Sequence, residues 1–397
     1  MKVRSSKGTS MLLGEKTNLT AQAKYFSGGS LKDSPITWSV SASPRNYAPP
    51  GWQEFRFGHD FPYWDLTSIH HSFKNKLRTV QVNANVNGEG TAQLRLDQLP
   101  EPRPVSCNCE ATIQDVNRQS WSDQITVLVH PSDTYVGVKQ DRSFYSVKDP
   151  IELDLIAVDL DGIVREGRSI KVELQKVEQT RDNKGKLVLV ETTEVTSGKL
   201  PVKCSFKVEE GGQYQTAVTV IDAEGRKNET HVSTWVNDEK MTSTKDLRSD
   251  KLLVIADKEE YKAGDTAEVM VSSPFYPAHG IITIRRVNVI ETIPIDLESS
   301  SATFKIPIKQ DYYPNFALEV YLAGMNYRFG SELLRLKVPP EARRLKLSAK
   351  ARDPVIQPGS DTTIDIELKD ASGKPVKNGQ VALAVADESV LALSGYK

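Results

Sequence analysis

Cysteine is scarce: three residues in 397 cannot make a disulfide framework. Cys107 and Cys109 stand two apart, so on a strand they share one face and are too close in sequence to bridge comfortably. Cys204 belongs to another part of the chain, and at least one thiol stays free, so cysteine usage does not fix the redox compartment. No apolar run approaches the roughly 18 residues needed to cross a bilayer, and no membrane contact by this segment is expected. The opening, Met1-Lys-Val-Arg-Ser-Ser-Lys, has basic residues but no apolar stretch of an export signal behind them. Neither sign of charge is in excess: 51 basic residues against 52 acidic give a formal net charge of −1. That balance provides no global field to gather nucleic acid or anionic lipid. Helical periodicity is almost missing as well.

What is present is alternation. Ile151-Glu-Leu-Asp-Leu-Ile-Ala-Val, Ile170-Lys-Val-Glu-Leu, Ala267-Glu-Val-Met-Val and Thr363-Ile-Asp-Ile-Glu-Leu put apolar side chains on one face of a strand and polar ones on the other. Turn chemistry separates such runs, as at Asp161-Gly162, Glu224-Gly225 and Ser372-Gly373. Short strands with turns at this spacing predict an all-β fold, a tandem array of immunoglobulin-like sandwiches. The repeat can be anchored at Gly14-Glu-Lys-Thr, Lys148-Asp-Pro-Ile, Gly264-Asp-Thr-Ala and Gly359-Ser-Asp-Thr, with successive intervals of 134, 116 and 95 residues. Each interval suits one sandwich of about 100 residues plus loops. A second echo links Val158-Asp-Leu-Asp-Gly-Ile-Val to Leu368-Lys-Asp-Ala-Ser-Gly-Lys-Pro-Val.

The lapses in alternation suggest five segments: a sandwich with an aromatic-rich insertion over 1–133, a second over 134–237, a linker over 238–250, a third sandwich over 251–340, and the first half of a fourth over 341–397. The fourth has too few residues for the seven strands such a sandwich needs, and the chain reads as part of a longer array. Its last strand, Val381 to Asp387, is expected to leave an unpaired edge, with fast amide exchange from Arg343 onward.

An ordered set of motifs resembles the bacterial alpha-2-macroglobulins, relatives of vertebrate macroglobulins and complement proteins. The set includes Ser41-Ala-Ser-Pro with Pro49-Pro-Gly-Trp and Phe55-Arg-Phe-Gly, then Gly211-Gly-Gln-Tyr with Val220-Ile-Asp-Ala-Glu-Gly. It continues through Asp257-Lys-Glu-Glu-Tyr-Lys-Ala-Gly-Asp-Thr-Ala, Ser273-Pro-Phe, Ile284-Arg-Arg and Val338-Pro-Pro-Glu-Ala-Arg-Arg-Leu to Ala384-Val-Ala-Asp-Glu-Ser-Val-Leu-Ala-Leu. The resemblance implies seven-stranded macroglobulin-like domains and a broad-spectrum endopeptidase inhibitor. In that family a protease cuts a bait segment and is caged, in many members also tethered through a Cys-x-Glu-Gln thioester. It also implies a periplasmic, envelope or extracellular location, with proteases and neighbouring macroglobulin-like domains as partners. Two departures matter. The only Glu-Gln, Glu178-Gln179, has Lys176 where the thioester cysteine would stand, and the bait segment is expected past the end of the chain. The expectation is a scaffold that lacks both bait and thioester.

Other motifs weigh little. Asp159-x-Asp161-Gly162 has too few acids for a calcium loop and suits a tight turn. Gly8 to Thr17 has the wrong spacing for a phosphate loop, with a strand after it where a helix is needed. Cys107-x-Cys109 lacks a second pair for zinc, and His59, His70, His71, His130, His231 and His279 are scattered along the sequence. No Ser-His-Asp order or Gly-x-Ser-x-Gly elbow accompanies them, so no enzyme, cofactor or metal site is expected. One patch stands out: Tyr47, Trp52, Phe55, Phe57, Phe61, Tyr63 and Trp64, stiffened by Pro49-Pro50-Gly51. Exposed, it could grip a sugar or a protein, as in an immunoglobulin-like surface adhesin. Alternatively it is an insertion whose rings fold onto their own sandwich.

Overall fold

The computed structural model of the chain describes residues 1–25, 28–59, 78–99, 101–115, 117–179, 185–238, 252–340, 344–353 and 359–384. Alternating runs become strands, as in Ile151–Asp159, where every second side chain is buried at the start. The first sandwich contains β1 (Lys2–Ser5), β2 (Ser10–Leu12), β3 (Lys16–Gln22), β4 (Pro35–Pro44), β5 (Arg78–Asn83), β6 (Glu89–Arg95), β7 (Val105–Gln114) and β8 (Ser120–His130). They form a sheet β1-β3-β6 facing a sheet β2-β8-β7-β4-β5. The second contains β9 (Thr134–Lys139), β10 (Phe144–Ser146), β11 (Ile151–Asp159), β12 (Ser169–Gln179), β13 (Gly185–Thr196), β14 (Val202–Phe206), β15 (Gly212–Ile221) and β16 (Lys227–Asn237). Its sheets are β14-β11-β9 and β10-β16-β15-β12-β13, the same plan. The third contains β17 (Leu253–Ala256), β18 (Thr266–Ser272), β19 (Ala278–Arg285), β20 (Val289–Leu297), β21 (Ser301–Pro307), β22 (Asn315–Gly324) and β23 (Phe329–Lys337), in sheets β17-β18-β21 and β20-β19-β22-β23. A pair, β24 (Lys346–Ala351) and β25 (Ile364–Lys369), follows. No α-helix occurs among the described residues.

The opening strand of each sandwich switches sheets. β1 runs antiparallel to β3, then the chain turns through Gly8 (φ 73°) and β2 runs parallel to β8. β9 and β10 repeat this against β11 and β16. In the third sandwich the parallel half shrinks to one bridge between Glu260 and Lys337. The first two sandwiches therefore count eight strands where seven were expected, because one strand is split between the sheets. A switching strand helps close the side of a sandwich and reduces its open edges.

Each sandwich has its own core. Trp38, Ile36 and Ile113 fill the first with Cys107 and Cys109, which are fully buried free thiols. Burial pushes the Cys107 thiol up to about 11 and, with Cys107 beside it, the Cys109 thiol up to about 12, so both stay protonated and unreactive. Leu155, Val172, Val218 and Phe206 fill the second; Tyr261, Tyr312, Phe316 and Ile282 fill the third. The four sequence anchors all immediately precede the second strand of a unit: β3, β11, β18 and β25. The echo is geometric too. Val158 bridges Val164 as Lys369 bridges Pro375, and the Arg165 and Val376 amides donate back to the Ala157 and Leu368 carbonyls at 2.8 and 3.0 Å. β24–β25 is thus the opening strand pair of a fourth unit, and β24 is exposed at all six positions.

Candidate functional site

The aromatic insertion leaves β4 at Pro44 and crosses to the second sandwich. Arg56 pairs with Val138 on the free edge of β9: the Arg56 amide donates to the Val138 carbonyl at 2.8 Å, and the Val138 amide donates back to the Arg56 carbonyl at 3.0 Å. Two residues on, the His231 amide donates to the Gly58 carbonyl at 3.0 Å, and the Gly58 amide donates to Thr230 Oγ1 at 2.9 Å. The insertion therefore fills the side of the second sandwich between β9 and β16, where β10 covers only the end of β16.

Its rings form a cluster of Phe57, Tyr135, Ile156 and Val158, with Tyr47, Trp52, Phe55, Leu160 and Val164 packed against it. The Tyr47 hydroxyl donates to the Leu160 carbonyl at 2.6 Å, and Trp52 Nε1 donates to the Gly162 carbonyl at 2.9 Å. The four described rings of the patch thus pack at the junction with the neighbouring sandwich, Phe57 buried and Tyr47, Trp52 and Phe55 half-buried. Phe61, Tyr63 and Trp64 lie outside the described residues. Two glycines make the docking possible. A Cβ at Gly137 would sit 2.6 Å from the Phe57 ring, and one at Gly162 (φ 82°) would sit 2.1 Å from the Pro50 carbonyl oxygen. His130, at the end of β8, lies under the Tyr47 ring at 4.7 Å and shares a 2.7 Å hydrogen bond with the Tyr135 hydroxyl. Burial drops its pKa to about 4, so it sits there neutral.

The polar side of the junction holds residues that are far apart in sequence. His59 and His231 stack at 4.0 Å, tilted by 22°. Glu229 pairs with His231, and Glu101 Oε2 lies 3.7 Å from His59 Nδ1 and 2.6 Å from Arg103 Nε. The short linker between the first two sandwiches, residues 131–133, is held by Asp222, whose fully buried side chain accepts from Ser132 Oγ at 3.0 Å and the Asp133 amide at 3.2 Å. Burial opposes charge on Asp222, but Arg226 and the surrounding amides outweigh it and hold its pKa low.

The second and third sandwiches meet through Phe144, Trp235, Ile255 and Met270. The Ser143 amide donates to the Asp257 carbonyl at 2.8 Å, Ser301 Oγ bonds Asn237 Oδ1 at 2.6 Å, and Arg142 pairs with Glu268. Arg56 of the insertion reaches the third sandwich at Glu259, 3.2 Å away. A polar groove of about 790 Å³ lies where all three units meet, bordered by Arg56, Lys139, Arg142, Asp257 and Glu268. Asp257 is itself fixed by the Tyr261 hydroxyl at 2.8 Å and the Glu268 amide at 2.7 Å. The motif Asp257 to Tyr261 is thus a fold-holding device beside that groove.

The expected turn at Asp159 is present: its Oδ1 accepts from the Asp161 and Ile163 amides at 3.0 and 2.8 Å. Sequence reasoning missed the meeting of His59 with His231, because nothing local signals an encounter across 172 residues. Gly137 was the available clue, since a lone glycine inside a strand marks a close approach.

Residues 252–393 match the family model described as the alpha-2-macroglobulin bait region domain. An alpha-2-macroglobulin homolog from Nostoc sp. is 25% identical over 97% of this chain, which corresponds to 21% of the relative's length. Circularly permutated Ras protein 2 of Dictyostelium discoideum is 21% identical over 95% of this chain and 11% of its own. Among solved structures, the native conformation of Escherichia coli alpha-2-macroglobulin covers 100% of this chain and 26% of its own at 15% identity, with a TM-score of 0.43. The chain spans 21% or less of the length of these two curated relatives.

Proposed function

Because this chain is related to the bacterial alpha-2-macroglobulins, we propose that it is the scaffold of a broad-spectrum endopeptidase inhibitor, with no catalytic activity of its own. The observation that supports this most is the pair of covered junctions, which join three sandwiches through apolar clusters and backbone bonds instead of bare linkers. Such a frame can hold a bait segment in place and move as bodies when the bait is cut.

In this reading residues 252–384 frame the bait, while bait cleavage and any thioester tether depend on residues outside these 397. The partners are proteases, reached through the complete inhibitor, and neighbouring macroglobulin-like domains; the location is the periplasm, the envelope or the cell exterior. No helix among the described residues is long and apolar enough to cross a membrane.

Mixing the 397-residue chain with an excess of a serine endopeptidase and following the mixture by size-exclusion chromatography tests the proposal. The expected result is no stoichiometric complex and undiminished cleavage of a large protein substrate. A one-to-one complex that blocks large substrates but spares small peptides would show that the chain traps proteases unaided.

A further inference from the structure

We propose that His59, Glu229 and His231 form a binding site for a divalent transition metal of the zinc class, clamping the first sandwich to the second. One ligand atom from each residue lies within 4.8 Å of the others. The donor set, two imidazoles and a carboxylate, is one that zinc takes, with a fourth position left for water. Bonds of about 2.0–2.1 Å place tetrahedral ligand atoms roughly 3.4 Å apart, a spacing these side chains can reach by rotation from positions already within 4.8 Å of one another.

The three side chains stand on a prepared frame. Glu229 and His231 are two apart on β16 and project to the same face. His59 is brought alongside by the parallel bridge between His59 and His231 and by the amide bond from His231 to Gly58. The Glu229 amide donates to the Pro102 carbonyl at 3.2 Å, which brings Glu101 and Arg103 against the same cluster. Glu101, held by Arg103, faces His59 Nδ1 and can take the proton of that nitrogen in a hydrogen bond, leaving Nε2 to the ion. A carboxylate behind a metal-bound imidazole is the usual outer support for such ligands.

The stacked rings are not yet in the ligating pose, because one ion cannot lie in two nearly parallel ring planes. Binding therefore turns one imidazole out of the stack while the backbone bonds keep its Cα in place. All three ligands sit at the junction, two from one sandwich and one from the insertion of the other. An ion bound there stabilises the docked arrangement by mass action.

The test uses the whole chain, stripped with a chelator and titrated with Zn²⁺ by calorimetry and with Co²⁺ by visible absorption. One equivalent is expected to bind, with the absorption bands of four-coordinate cobalt and a higher melting temperature on adding Zn²⁺. Glu229→Gln and His231→Asn should each weaken binding at least as much as the 10–100-fold typical of losing an outer support, and cancel the melting shift. His279→Asn, at the exposed His279–Asp296 pair, should change neither. The two site variants differ in size and charge, and the melting of each without metal shows that it is folded. Absence of a stoichiometric ion, or equal affinity in folded Glu229→Gln and the unaltered chain, overturns the site.

Discussion

At the scale of single residues, the junction of the first two sandwiches is governed by what is missing from one side chain. Gly137 lies in β9 with an ordinary strand conformation, since its φ is not among the positive ones, so alanine there is a purely steric change. Its Cβ would meet the Phe57 ring at 2.6 Å and Ile156 Cγ2 at 3.0 Å. Gly137→Ala is expected to cost about 1–3 kcal/mol, the usual range for overpacking. The loss should appear as faster hydrogen exchange at the Arg56 and Val138 amides, which pair the insertion to β9. If those amides keep their protection, the insertion does not depend on this close approach. The rings beside Gly137 were conspicuous in the sequence as a group. Their destination was not, because aromatic residues bury equally well on either neighbour until the gap that admits them is known.

At the scale of elements, one device recurs: an aspartate at a strand end whose carboxylate accepts the amides of its own hairpin. Asp115, Asp159, Asp222 and Asp370 each bond the amide four residues on, at 2.9, 2.8, 2.9 and 2.9 Å. Asp115 and Asp222 join the last two strands of their sandwiches, while Asp159 and Asp370 follow the second strand. The local pattern of Asp with Gly made the last three legible as turns. Burial then gives equal motifs unequal weight. Asp222→Ala strips a fully buried acceptor from Arg226 and from the linker, and should lower stability by about 3–5 kcal/mol. Asp370→Ala, in an exposed hairpin, should cost far less, because water can replace the bonds its carboxylate makes. Urea unfolding of the two variants separates them; equal midpoints would mean that the linker contacts contribute nothing.

For the molecule as a whole, protection should follow the cores. β11 and β12 send buried side chains into the core, whereas β24 is wholly exposed and β25 has no buried position. Amides of β24–β25 are therefore expected to exchange far faster than those of β11 and β12, as low contact density dictates. Uniform protection through Lys369 would mean that the fourth unit is stabilised by contacts other than those seen here. Of the anticipated edge strand, Val381 to Asp387, the described part, 381–384, is exposed and forms no strand, while 385–387 lie outside the described residues. The sequence by itself determined the all-β class, the repeat and the place of each unit's second strand, because alternation and turn chemistry are properties of neighbouring residues. Tertiary structure alone decided that one sandwich's insertion completes the next, and that His59 meets His231. Both depend on surfaces assembled from distant segments, and a period of two carries no information about which surface lies opposite.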